Sequence, residues 1–181
     1  MIETKRLRLR PFEERDSEAF AALNADPAVM QHFPATLDRG ASNNLLAAFS
    51  ENWRINGVCF GAVEHKTDGL IGMCGLNHVS FSADFTPTVE IGWRLTQATW
   101  GKGYATEAAL AWLDYGFAEL DLDEIVAFTA KNNRASLALM RRINMRIDPR
   151  DEFTHPNLDA DSPLNPMVLG RISASGFLAE K

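Results

Sequence analysis

One short segment constrains the fold more than any other, the run Trp-Gly-Lys-Gly-Tyr-Ala-Thr-Glu at residues 100–107. It follows an alternating run that predicts a strand, Val89–Leu95, and precedes an amphipathic run that predicts a helix, 103–120. The first amide groups of a helix have no partner inside the helix, and the helix dipole adds positive charge there. The two glycines also let the backbone approach a ligand closely. This arrangement predicts an anion site, to which Lys102 adds a charge.

The segment does not match either of two familiar phosphate loops. No Gly-Lys-Ser/Thr run follows at the spacing of a P-loop, and Thr106 occupies the position of the third glycine in a dinucleotide fingerprint. Kinase and dehydrogenase functions are therefore disfavoured. On these residues alone, a two-glycine turn is as often an ordinary connection as a ligand site.

The hydrophobic pattern over residues 1–181 predicts one mixed α/β domain, without an internal repeat or a linker. Alternating and apolar runs predict strands, and amphipathic runs between start and stop signals predict helices. Strands are expected at 6–10, 58–64, 70–76, 89–95, 124–130, 146–153 and 167–172, and helices at 16–26, 38–56, 103–120 and 134–143. Irregular structure is expected at 78–87 and at the proline-containing segment 154–166.

Composition disfavours several classes of function. The formal net charge of -6 argues against a nucleic-acid-binding protein, which needs a basic surface. No apolar run approaches the ~20 residues of a membrane span. The first residues lack the apolar region of a signal peptide, so a cytoplasmic location is expected.

The cysteines and histidines do not suggest a metal or a redox centre. Cys59 and Cys74 fall in the two strands of a predicted hairpin, nearly opposite each other, and we expect both to be buried and reduced. The histidines are scattered without the spacing of metal ligands, so no metal is expected. They are His32, His65, His78 and His155.

Several motifs together resemble the GNAT N-acyltransferase superfamily. Trp100-x-x-Gly103-x-Ala105 is similar to its acyl-CoA loop, Gln/Arg-x-x-Gly-x-Gly/Ala. The stretches 90–95 and 100–108 are similar to the branch that contains the ribosomal-protein N-terminal acetyltransferases. A second block, from Asn133-x-x-Ser136 to 139–145, resembles another helix of the family. The resemblance covers nearly the whole chain, from Thr4 to the last strand.

The resemblance implies a fold and an activity. The fold is a central mixed, mostly antiparallel sheet flanked by helices. The activity is metal-free transfer of an acetyl group from acetyl-CoA to a primary amine in a ternary complex, and a homodimer is a candidate assembly. The amine belongs to a small molecule or a protein N-terminus, and its pocket is expected in 30–40 and 78–87. The implied cofactor-binding residues are Ile91, Gly92, Trp93, Trp100, Gly101, Lys102, Gly103, Tyr104, Ala105, Thr106, Asn133 and Ser136.

Glu90 is the candidate general base. Alternation places it on one face of the predicted strand with Gly92 and Arg94. Glycine inside a strand often marks the close approach of a ligand or another backbone, and the amides of Gly92 and Trp93 are candidate donors to the reacting carbonyl oxygen. The alternative for Glu90 is a solvent-exposed carboxylate or one paired with Arg94.

Ser136 and Asn133 each have two interpretations. Ser136 either donates a proton to the departing thiolate or is a first-turn residue that bonds the backbone. Asn133 caps the predicted helix, binds the cofactor, or does both. Leu139 and Met140 stand where many family members carry a tyrosine that serves as the acid. This departure supports the alternative of a CoA-binding sensor or interaction module that no longer catalyses.

Overall fold

The computed structural model describes residues 1–179, which form eight strands and six α-helices. The strands are β1 (Ile2–Glu3), β2 (Leu7–Arg10), β3 (Phe60–His65), β4 (Gly69–His78), β5 (Val89–Leu95), β6 (Glu124–Ala130), β7 (Arg146–Ile147) and β8 (Met167–Ser173). The helices are α1 (Ser17–Ala25), α2 (Pro27–Met30), α3 (Arg39–Asn56), α4 (Tyr104–Ala118), α5 (Arg134–Arg142) and α6 (Ala174–Leu178).

The strands form one sheet in the order β1-β2-β3-β4-β5-β6-β8-β7. Neighbouring strands are antiparallel except β5 and β6, which are parallel. The mixed, mostly antiparallel sheet with flanking helices that the sequence predicted is confirmed. A single domain over the whole of 1–181 stays a prediction, because residues 180 and 181 lie outside the described part.

Strands β5 and β6 separate after a short contact. Their paired positions are Val89 with Ile125 and Glu90 with Val126, and no further pair between them is found in the described chain. We call the opening between residues 91–95 and 127–130 the β5–β6 cleft. Since no described strand pairs with β5 on this side beyond Glu90, part of its backbone is available to an extended ligand.

The two faces of the sheet have separate cores. Ile91 of β5 packs in the larger core together with Trp112 of α4. The smaller core lies on the opposite face and includes Phe20 of α1 and Met73 of β4. Arg94 lies opposite Met73 in the β4–β5 register, so the predicted alternation of β5 is confirmed. Glu90 and Arg94 therefore face the side of the sheet that α1 covers.

Two boundaries differ from expectation because of proline. Asp26-Pro27 ends α1 as predicted, but it also begins α2, where the Asp26 carboxylate accepts a hydrogen bond from the Ala28 amide at 2.9 Å. The strand predicted at 146–153 is confirmed at Arg146–Ile147 and wrong over 148–152, and Phe153 pairs again with Met167 in an isolated bridge. Asp148 caps a 3-10 turn that begins at Pro149, whose missing N–H cannot continue a strand ladder.

The cysteines are free and buried, but they are not opposed. A bulge between Val63 and Glu64 shifts the hairpin register, so that Cys74 lies opposite Gly61. Burial raises the pKa of the Cys59 thiol to about 11 and also raises that of Cys74. Within residues 1–179, no helix is both long and apolar enough to cross a membrane.

Candidate active site

The glycine segment forms a tight connection between β5 and α4. After a 3-10 turn at Gln97–Thr99, the indole of Trp100 donates a hydrogen bond to the carbonyl of Leu95 at 2.8 Å, which ties the loop to the end of β5. Gly101 and Gly103 have φ angles of 74° and 80°. These are left-handed conformations that glycine adopts at little cost, so both glycines are required by the backbone.

The amide groups of residues 101–106 form an uncommitted row. In the described chain, none of these six amides donates a hydrogen bond to the protein, and the first committed amide is that of Glu107, which donates to the Gly103 carbonyl at 3.0 Å. The row leads into the positive end of the α4 dipole. It therefore has the chemistry of an anion site at the positions that the sequence predicted.

Arg6 and Glu107 hold this loop from the side, a contact that sequence reasoning missed. The Glu107 carboxylate accepts hydrogen bonds from the Arg6 guanidinium at 2.6 Å and from the Thr4 hydroxyl at 2.6 Å. Burial alone would raise the pKa of Glu107, but these hydrogen bonds lower it further than burial raises it. Arg6 also donates to the Lys102 carbonyl at 2.9 Å. No local pattern links residues a hundred positions apart.

Glu90 is a mostly buried carboxyl at the point where β5 and β6 separate. Burial raises its pKa from the ordinary value of 4.5 to about 7, although a hydrogen bond from Asn77 lowers it in part. The Asn77 amide donates to the carboxylate at 3.2 Å. No ion pair between Glu90 and Arg94 is found in residues 1–179, so the alternative in which Glu90 pairs with Arg94 is wrong. A carboxyl of this pKa exchanges protons near neutral pH.

Asn77 was not singled out from the sequence. It lies directly across from Glu90 in the β4–β5 register. The Cys59 thiol donates to the Asn77 side-chain oxygen at 3.5 Å, which leaves the amide hydrogens directed to Glu90. Only the register could have revealed this partner, because nothing in the spacing of the two residues indicates it.

The start of α5 lies across the β5–β6 cleft. The Asn133 side chain accepts from the Ser136 amide at 3.1 Å and donates to the Thr129 hydroxyl at 2.9 Å, so its role as a cap is confirmed. The Trp93 indole donates to the Ser136 hydroxyl at 3.3 Å. Since Ser136 accepts this bond, its own hydroxyl hydrogen remains available to an acceptor in the cleft.

Gly92 has a packing reason that sequence reasoning missed. A Cβ at this position would lie 2.8 Å from the ring of Phe60, closer than real contacts allow. The missing side chain therefore makes room for an aromatic ring of the smaller core. A ligand contact by the Gly92 backbone stays a prediction.

Comparisons with known proteins identify the family. Residues 6–146 match the family described as acetyltransferase (GNAT) domain. This chain belongs to the GNAT acetyltransferase family. An uncharacterized N-acetyltransferase of Bacillus subtilis, YnaD, is 36% identical over 146 residues, which are 80% of this chain and 82% of that protein. The GNAT assignment and such relatives make the chain an N-acetyltransferase.

Solved GNAT structures share its fold. An acetyltransferase from Agrobacterium tumefaciens is 28% identical with a TM-score of 0.76, over 94% of this chain and 92% of that one. The spermidine N-acetyltransferase of Vibrio cholerae, in complex with CoA and spermine, is 21% identical with a TM-score of 0.73, over 97% and 99%. At that identity the likeness concerns the fold alone.

No metal site is found in the described chain, where no three histidine, cysteine, aspartate or glutamate side chains are grouped as ligands. Metal-free chemistry stays a prediction.

Proposed function

We propose that this GNAT protein transfers the acetyl group of acetyl-CoA to a primary amine by direct attack within a ternary complex. One observation carries the proposal: β5 bears a mostly buried Glu90 where the cleft begins and leads at its other end into the uncommitted amides of 101–106. The acceptor is a small-molecule amine or a protein N-terminus. Kinship with the ribosomal-protein branch, a cytoplasmic location and a homodimer stay predictions.

The loop fits the pyrophosphate of CoA. Six successive uncommitted amides offer more donors than a single phosphate needs, and the exposed Lys102 adds a charge at the rim. The free side of β5 from Ile91 onward offers backbone groups to the amide-containing arm of CoA, with Gly92 and Trp93 as candidate donors to the reacting carbonyl oxygen. Acetyl-CoA supplies the thioester, and the residues of the chain bind it and move protons.

Glu90 is the proposed general base. An amine has a pKa of about 8 when it is an α-amine and about 10.4 when it is lysine-like, so it must lose a proton before or during attack. A carboxyl with a pKa of about 7 is ionised in a large fraction of molecules at neutral pH and still binds a proton effectively. Asn77 orients the carboxylate toward that exchange.

Ser136 is the proposed donor to the departing thiolate. The Trp93 indole fixes its oxygen, and the hydroxyl hydrogen is not used by any acceptor found in the described chain. The chain has no tyrosine at the usual place of the acid in this family, so a fixed serine hydroxyl takes that role in the proposal.

The test combines binding with turnover. Acetyl-CoA should raise the melting temperature, and CoA release, followed by thiol titration, should occur with some members of a panel of polyamines, amino acids, aminoglycosides and N-terminal peptides. Glu90→Gln should bind acetyl-CoA normally while kcat falls by about 10²–10⁴. The exposed Glu18→Gln serves as the control and should behave as wild type.

Two results would contradict the proposal in different ways. Full activity of Glu90→Gln at all pH values would remove Glu90 as the base. Protection by acetyl-CoA without CoA release from any amine would favour the non-catalytic CoA-binding module instead.

A further inference from the structure

Arg94 is a buried charge on the same side of β5 as Glu90. Only 8% of the surface of Arg94 is exposed, and the residue lies four positions beyond Glu90 along β5. Four residues of extended strand span about 13 Å. The α4 helix and the larger core pack on the other side of the sheet. Arg94 therefore points away from the α4 face and shares the Glu90 face.

The guanidinium of Arg94 has no carboxylate partner in the described chain. It donates to the Asn24 side-chain oxygen at 2.7 Å, and it also donates to the sulfur atoms of Met30 and Met73 at 2.9 and 3.4 Å. Its Nε has no hydrogen-bond partner among residues 1–179. Burial lowers the pKa of Arg94 to about 10. The group remains a cation near neutral pH, without a counter-ion.

Arg10 shows how the same protein treats a buried arginine that has a structural role. Arg10 is 3% exposed, and its guanidinium contacts Asp16 and Glu64, each at 2.6 Å. An unpaired buried charge is strongly unfavourable, and paired ones occur because the partner offsets the loss of water. The contrast indicates that Arg94 takes a counter-ion that the described chain does not supply.

The cover over Arg94 is thin. The ring of Phe33 lies 4.6 Å from the guanidinium carbon and is itself 40% exposed. Phe33 follows α2, in the segment 30–40 where an acceptor pocket is expected. The neighbouring His32 has a ring nitrogen, Nδ1, that is also buried and finds no hydrogen-bond partner in the part of the chain that the structure describes. This turn thus contains a second polar atom whose bonding is incomplete.

We propose that Arg94 binds a carboxylate of the amine acceptor, so that the preferred acceptors are amino acids and not simple amines. The inference rests on the proposed function, in which the amine is deprotonated near Glu90. A guanidinium forms strong, often two-point, hydrogen bonds with a carboxylate. Asn24 and the two methionine sulfurs then complete the pocket around the ion pair.

The distance between Glu90 and Arg94 determines how long the acceptor must be. The ring of Phe60 packs over Gly92 between the two residues, so an acceptor that joins them must pass above this ring. The side chains of Glu90 and Arg94 cover part of the ~13 Å between their backbones, and the acceptor must cover the rest. In an α-amino acid the amine and the carboxylate are on the same carbon, which is too short. An ω-amino acid with several methylene groups, or the side-chain amine of lysine, has a suitable length.

The experiment compares 4-aminobutyrate and 6-aminohexanoate with butylamine and hexylamine. For the wild type, kcat/KM should be higher for the acid than for the matched amine by about ten- to hundredfold, as expected for a charge-assisted hydrogen bond. Arg94→Met should abolish this preference by raising KM for the acid alone. Arg94→Lys should restore part of it.

A binding measurement keeps the inference separate from the proposed function. With CoA present, 6-aminohexanoate should raise the melting temperature of the wild type more than hexylamine does, and Arg94→Met should lose the difference. If the wild type shows no carboxylate-dependent shift and no acid preference, the inference is wrong even though amines are acetylated. If no amine releases CoA but the Arg94-dependent shift is present, the proposed function fails and the carboxylate site stands.

The stability of the variants gives one further discriminating result. If Arg94 only holds Asn24 and the α2 turn in place, Arg94→Met should lower the melting temperature without ligand and should affect acids and amines equally. That outcome would overturn the proposal. An unpaired buried charge that awaits a ligand should instead be replaced by methionine with little loss or a gain in melting temperature.

Discussion

At the scale of single residues, the proton chemistry of this site depends on which residue of β4 lies opposite Glu90 of β5. Glu90 is deprived of water at the start of the β5–β6 cleft, and the resulting rise of its pKa to about 7 is limited by the amide of Asn77. The Cys59 thiol orients that amide, and it stays protonated well above neutral pH because burial raises its pKa from 9.0 to about 11. Two uncharged groups, the Cys59 thiol and the Asn77 amide, thus limit the rise in the pKa of the Glu90 carboxyl.

Replacing Asn77 should move the pH profile. Because its hydrogen bond favours the ionised form of Glu90, Asn77→Ala should raise the pKa of Glu90 further and shift the ascending limb of kcat/KM to higher pH. If this hydrogen bond is about 1 kcal/mol stronger to the ionised carboxylate than to the protonated carboxyl, its loss corresponds to a shift of about 0.5–1 pH unit. The profile would be measured by CoA release at saturating acetyl-CoA.

The exposed Asn43→Ala is the control for this shift and should leave the limb in place. An unmoved limb in Asn77→Ala would mean that a group other than Glu90 sets the profile.

At the scale of elements, the loop between β5 and α4 combines backbone strain with ligand binding, and the chain offers a matched pair of glycines to separate the two. Gly101 and Gly69 have φ angles of 74° and 76°, and a Cβ added at either would meet nothing within 4 Å. The two glycines differ in where they lie. Gly69 begins β4 at the hairpin turn, whereas Gly101 lies in the loop before α4.

Both Gly101→Ala and Gly69→Ala should lower the free energy of unfolding by about 1–2 kcal/mol, because an alanine in the left-handed region is strained. Only Gly101→Ala should also weaken acetyl-CoA binding, since a shifted backbone redirects the uncommitted amides. Urea unfolding and calorimetric titration with acetyl-CoA would measure the two effects. Equal affinity in both variants would argue against the loop as the pyrophosphate site.

The contact between Arg6, directly before β2, and Glu107 of α4 balances a negative charge at this site. Glu107 lies in the first turn of α4, where a pyrophosphate is proposed to bind, and Arg6 neutralises it at 2.6 Å. Arg6→Gln should therefore weaken acetyl-CoA binding by about two- to fivefold, the size of a charge effect at a helix end. The double variant Arg6→Gln/Glu107→Gln should recover most of the affinity.

Titration with acetyl-CoA at low and high salt would measure this effect, which should shrink as salt screens the charge. A double variant that binds as weakly as Arg6→Gln would indicate that Arg6 acts on the shape of the loop and not through charge.

What the sequence could predict here was local. The alternation of β5, the glycine loop and the Asn133 cap depend on neighbours within a few residues, and these predictions agree with the structure. The partners of Glu90 and Glu107 could not be predicted, because they depend on the strand register and on a contact across 101 residues. The pairing of Cys74 could not be predicted for the same reason, because it depends on the bulge that shifts the register of the β3–β4 hairpin.

At the scale of the whole molecule, two buried carboxyls make opposite contributions to stability. Burial alone would raise the pKa of Asp16, but hydrogen bonds from Arg10 and the Glu13 amide lower it below its ordinary value of 3.8. The contribution of Asp16 is therefore present above about pH 4 and is lost as the pH falls. The Arg10–Asp16 pair joins β2 to the start of α1, which makes it part of the support for the Glu90 face.

Glu90 should give the opposite slope at higher pH. Its pKa in the folded protein, about 7, exceeds its ordinary value of 4.5, so the folded state binds the proton more tightly than the unfolded state does. Stability should fall as the pH rises from about 4.5 to about 7, by an amount on the order of 3 kcal/mol. Glu90→Gln cannot ionise, so it should lack this loss and should be more stable than the wild type at about pH 8, with a difference of less than about 1 kcal/mol at about pH 5. Urea unfolding of both proteins at the two pH values would measure the effect, and both should share the acid limb that Asp16 causes. Parallel curves for the two proteins would mean that Glu90 titrates at its ordinary pKa, and it would then be a poorer base for an amine near neutral pH.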